Sequence, residues 1–184
     1  MRPIYKGLST TLFSIILSFS VMNTSSAHVM VAQHGTLNVI DNKAFMVLSL
    51  PVSAFKGIDD DKDGKLSKVE FKTHRAAISK AIIKNVTLTD KDGTIDLEDM
   101  ILSPVMSHYG PKEPASQLVV MGKYTLKEIN SSVRYHVNIF GSKATEQSLE
   151  ITATHKANAQ KHTFELTPTV PDATLFPTKK LSQH

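Results

Sequence analysis

The 184-residue chain contains no cysteine. That absence removes disulfides, thiol nucleophiles and thioether lipid anchors together. It also lacks a Gly-x-Ser-x-Gly elbow and a phosphate-binding glycine loop. Eight histidines are present (His28, His34, His74, His108, His136, His155, His162 and His184), and none forms a His-x-x-x-His pair. No catalytic constellation emerges, so the chain reads as a protein that is not an enzyme. The lysines read as scattered rather than stacked on one face, so a nucleic-acid partner is not expected.

Long apolar runs are also missing beyond the N-terminus. Arg2 and Lys6 precede an apolar stretch, Leu12 to Met22, and Ser25 and Ala27 place small residues before His28. That order is the pattern of a secretory signal peptide over residues 1–27. The apolar stretch is about half of the roughly 20 residues that span a bilayer. The expected mature chain starts at His28, is periplasmic or secreted, and does not span the membrane. Cleavage takes away Arg2 and Lys6 and no acid, so the formal charge of +4 becomes +4 − 2 = +2. Without disulfides, packing and metal must stabilise an exported fold.

The remainder divides into a single β-rich domain, 28–166, and a proline-marked tail, 167–184, expected to be irregular. Apolar residues alternate around Asp41-Asn42, which predicts two strands before Pro51. Pro51 suits a first helical position, and Val52, Phe55 and Ile58 share a face, so a short helix is expected over 51–58. A second helix starts at Ser67, which with Glu70 makes a Ser-x-x-Glu capping box. Phe71, Arg75, Ile78 and Ile82 follow at helical spacing. From Asn85 onward, short alternating segments separated by Gly, Pro and Asn predict further strands. The expected fold class is α+β: an antiparallel β-sandwich-like domain with an EF-hand helix-loop-helix inserted at about 51–84.

The loop of that insert is Asp59-Asp60-Asp61-Lys62-Asp63-Gly64-Lys65-Leu66-Ser67-Lys68-Val69-Glu70. Calcium is a hard cation that takes six to eight oxygens, supplied in an EF-hand from positions 1, 3, 5, 7, 9 and 12. Those positions are Asp59, Asp61 and Asp63 by carboxylate, Lys65 by its carbonyl, Ser67 often through water, and Glu70 bidentately. Gly64 takes the sharp turn at position 6, and apolar Leu66 at position 8 suits a short ladder with a partner loop. Ca2+ is therefore the expected cofactor. Magnesium, which prefers a near-octahedral site with several waters, fits less well. A second Asp-x-Asp-Gly, Asp90 to Gly93, reads as a hairpin turn or as a weaker EF-hand. In the latter case Leu88 would stand at the first ligand position and Asp99 at the last.

An alternative reading uses His28. Its free amine and imidazole after cleavage could chelate copper or nickel, with His34 as a further ligand.

Ala27-His28, Gly35-Thr36-Leu37-Asn38-Val39 and Leu48-Ser49-Leu50-Pro51-Val52-Ser53-Ala54-Phe55, followed by the acidic stretch and helix of Asp59 to Lys80, resemble the extracytoplasmic domain of hydrogenase/urease accessory type membrane proteins. The resemblance covers about residues 27–140. It implies a bacterial periplasmic setting and a membrane protein partner. The chain departs from that family in having no membrane-spanning part, so transport activity is not implied.

Overall fold

A computed structural model describes residues 33–105, 114–129 and 132–177. The expected signal peptide and His28 lie outside the described residues.

Alternation of buried and exposed positions builds the first hairpin. β1 (His34–Ile40) and β2 (Lys43–Pro51) pair antiparallel, from Gly35 opposite Leu48 to Ile40 opposite Lys43. Asp41 takes a positive φ of 53° in the turn, a conformation its short polar side chain tolerates. β6 (Gln117–Thr125) pairs along β2 from Lys43 opposite Thr125 to Pro51 opposite Gln117. β5 (Glu98–Val105) lies outside β6, where an edge strand accommodates Pro104. On the other side, β8 (Leu149–His155) runs parallel to β1 and is followed by β9 (Gln160–Leu166). The large sheet thus has the order β5-β6-β2-β1-β8-β9. The smaller sheet contains β3 (Val86–Asp90), β4 (Gly93–Ile95), β7 (Arg134–Val137) and β10 (Asp172–Thr174), in the order β10-β7-β3-β4. Apart from β1–β8, every pair is antiparallel. Among the described residues the fold is mostly β-sheet with one α-helix, α1 (Lys68–Asn85), which runs directly into β3.

The core joins both sheets. The hydroxyl of Tyr135 on β7 lies 3.2 Å from the Met46 sulfur on β2, and that of Tyr124 on β6 donates to the Val86 carbonyl at 3.4 Å. Both tyrosines are fully buried. Burying each ring contributes on the order of 2 kcal/mol. Burial also raises both phenol pKa values well above their ordinary range.

Two expectations change, and one left open is decided. No helix covers 51–58: Pro51 has extended angles (φ −69°, ψ 147°) and continues the β2 ladder opposite Gln117. Only a 3-10 turn follows, Val52–Ala54, and Gly57 at φ +72° turns the chain before the loop. The insert is therefore turn-loop-helix in the structure. The tail is not wholly irregular either. β10 pairs with β7, and Leu175 and Phe176 are buried beyond it. The prolines interrupt that segment, but its apolar residues still require cover. The second Asp-x-Asp-Gly is a hairpin, with Asp90 opposite Gly93.

Candidate metal centre

The 3-10 turn delivers the chain to the acidic loop, and the helix cap ends it. Carboxylate oxygens of Asp59, Asp61 and Asp63 all lie within 4.8 Å of one another. Among the described residues, no other group of three or more His, Asp or Glu side chains converges this closely. Loop amides bond to all three of these side chains. Asp59 accepts from the amides of Asp63 at 3.1 Å and Gly64 at 2.9 Å, through different oxygens. Asp61 accepts from the Asp63 amide at 3.2 Å, and Asp63 accepts from the Lys65 amide at 2.7 Å. Gly64 takes a φ of +78°, so glycine is needed at the sharpest point of the turn.

Ser67 and Glu70 close the loop. Ser67 is the N-cap of α1, and its hydroxyl accepts from the Glu70 amide at 3.2 Å. One Glu70 oxygen accepts from the Ser67 amide at 2.8 Å, completing the capping box. The other accepts from the Asp60 amide at 2.7 Å, reaching back across the whole loop. Glu70 is 6% exposed. The Ser67 amide, the Ser67 hydroxyl and the Asp60 amide together hold its carboxyl down at about 2. Asp61 moves the other way. The Asp63 amide pulls its pKa down, but desolvation and the nearby Asp63, Glu70 and Asp59 carboxylates outweigh that and raise it.

The six expected ligand residues therefore fall into two groups. Asp59, Asp61 and Asp63 are brought together. Glu70 and Ser67 stand at the closing end, already bonded to loop amides, and Lys65 uses its amide to orient Asp63. Each carboxylate oxygen of Glu70 keeps a second lone pair. The donors gathered are all oxygens, as a hard divalent cation requires. Oxygens bound to one divalent ion lie within about 5 Å of one another, so the three aspartates are close enough to share a cation.

Two supports carried no sequence signal. Asp60 at position 2 is turned away to the helix, where His74 Nε2 lies 2.9 Å and 3.0 Å from its two carboxylate oxygens. Leu66 at position 8 pairs with Ala115, just before β6, and not with a second loop. The Asp90–Asp99 segment is engaged otherwise: Lys127 binds Asp92 at 3.0 Å, and Lys123 binds Asp99. No protein-family model and no curated protein matches the chain.

Proposed function

We propose that the chain is an exported, periplasmic calcium-binding protein in which Asp59 to Glu70 acts as one EF-hand loop. The observation that carries this reading is the convergence of the Asp59, Asp61 and Asp63 carboxylates within 4.8 Å, on a loop ordered by its own side chains. Without a cation those like charges repel, as the raised pKa of Asp61 reflects. A divalent ion would replace that repulsion with attraction and would tie the turn after β2 to the start of α1. Lys65 by its carbonyl, Ser67 and Glu70 would supply the remaining oxygens. The ion's role is to hold shape in a chain without disulfides. The chain serves as a binding module, not a catalyst, and the resemblance to the hydrogenase/urease accessory type domains makes a membrane protein its partner.

Titration calorimetry tests the metal assignment. The parent should bind one Ca2+, Asp59→Ala and Asp63→Ala should abolish the heat, and Asp90→Ala should leave it unchanged. Equal affinity for magnesium, or retained binding in the Asp63→Ala protein, would overturn it. Mass spectrometry of the exported protein under native conditions reports the His28 terminus and the bound metal together.

A further inference from the structure

The expectation of lysines not stacked on one face changes at α1, where four of them share the exposed side of the helix. Lys68, Lys72, Arg75, Lys80 and Lys84 are all exposed, and the only acid in the helix, Glu70, is buried. None of the five forms an ion pair with a described residue. Elsewhere Lys91, Lys123, Lys127 and Lys143 each meet a carboxylate. Like charges four apart, as in Lys68–Lys72 and Lys80–Lys84, weaken a helix slightly.

The centre of this face is apolar. At about 100° per residue, Val69, Ala76 and Ile83 follow one line along the helix, each seven residues from the next. Val69 is 75% exposed and Ile83 55% exposed, large values for side chains of this kind. Lys68 and Lys72 flank the line on one side and Lys80 and Lys84 on the other, while Arg75 turns off this face, its guanidinium 5.9 Å from the centre of the Phe71 ring. The opposite side of the helix buries Ile78 and Ile82, so the core does not require this stripe.

We infer that the exposed face of α1 docks flat on an anionic phospholipid bilayer. An 18-residue helix is about 27 Å long, so Lys68, Lys72, Lys80 and Lys84 can reach the headgroup layer together. Their alkyl stems lie along the stripe while the charged ends reach phosphate, and Val69 and Ile83 enter the acyl boundary. A nucleic acid would match the charge but would leave the apolar centre against phosphate oxygens, so lipid is the better complement. The acidic loop lies at the N-terminal end of the helix, and its charge opposes docking there. The inference does not depend on calcium.

Vesicle co-sedimentation in chelator tests it, with the full chain and its variants. Vesicles containing phosphatidylglycerol should bind the chain more tightly than phosphatidylcholine alone, and salt should weaken the binding. Removing one cation should cost about fivefold, so Lys72→Ala/Lys80→Ala should lose about 25-fold. Val69→Ser/Ile83→Ser should also weaken binding without lowering the melting temperature. Equal binding to both vesicle types would overturn the inference, because it would place the contact on the apolar N-terminal stretch. Parental binding by the lysine variant would also overturn it. So would binding to duplex DNA with none to vesicles, which would make the face a general polyanion site.

Discussion

Leu66 and Ala115 exchange both backbone hydrogen bonds, at 2.8 Å and 2.9 Å, in an antiparallel bridge where both residues are fully buried. The bridge fastens the acidic loop to the start of β6, in the position where a paired EF-hand would meet its partner loop. Val52 reaches the same segment by donating to the Ser116 carbonyl at 3.0 Å. The turn before the loop and the eighth position within it are thus held by one stretch of chain. Ala115→Pro deletes the donor that serves the Leu66 carbonyl and leaves a buried acceptor unpaired, a cost of about 1–3 kcal/mol. Denaturant unfolding should show that loss, and calcium affinity should fall with it. Unchanged calcium affinity in the variant would mean the loop holds its shape without the bridge.

The Glu70 carboxyl sits at about 2 in the folded chain, against an ordinary 4.5. A folded pKa below the unfolded one means that folding favours the ionised form. The contribution is complete above about pH 4.5 and is lost as pH falls through about 2. In chelator, the parent should therefore lose melting temperature across that window. Glu70→Gln should melt lower than the parent at neutral pH, because it offers one acceptor oxygen where two are used. Its profile between pH 4.5 and 2 should be flatter. Parallel acid profiles for the two proteins would count against this role.

Asp61 carries the opposite sign. Its folded pKa is raised, so the folded state holds that proton more tightly than the unfolded chain does. Its charge therefore opposes folding at neutral pH, and the opposition fades as pH falls through the folded pKa. Asp61→Asn keeps an oxygen for the Asp63 amide and removes the charge. Thermal melts should place this variant at or above the parent in chelator and below it in calcium. A clear loss of stability in chelator would refute the repulsion argument.

Calcium at a hundredfold excess over its dissociation constant should add about 2.7 kcal/mol. For a domain of this size that corresponds to a rise in melting temperature of about 5–10 °C. An apolar dye should register little change, because sensor EF-hands respond by opening a helix pair. The segment before this loop is a 3-10 turn of three residues, with no entering helix to swing. A large rise in dye fluorescence without a change in melting temperature would make the protein a sensor.

Ile82 and Ile83 separate the two faces of α1. Ile82 is fully buried and Ile83 is 55% exposed. Ile82→Ala should cost about 2–5 kcal/mol through the lost contacts and the cavity left behind. Ile83→Ala should fall within about 0.5 kcal/mol of the parent. Parallel denaturation curves decide this. A comparable loss at both positions would mean the exposed face is packed in solution.

What the sequence determined was local. Alternation specified β1, β2, β3, β6 and β8, because a strand with one buried face repeats every two residues. The Ser67–Glu70 spacing specified the start of α1, since one helical turn sets the distance between a cap and its partner. The acidic loop was legible for the same reason, its donors being close in the chain. Tertiary contacts decided the rest. Pro51 fits a helix start or an edge of extended chain equally well, and pairing with Gln117 selected the strand. Asp90-x-Asp92-Gly93 became a hairpin because Val86 to Thr89 found β7. The Glu70–Asp60 closure, the Asp60–His74 contact and the Leu66–Ala115 bridge join residues whose separations repeat no period. Packing Ile78 and Ile82 inward decided that Lys68, Lys72, Lys80 and Lys84 share the side of the helix that meets water.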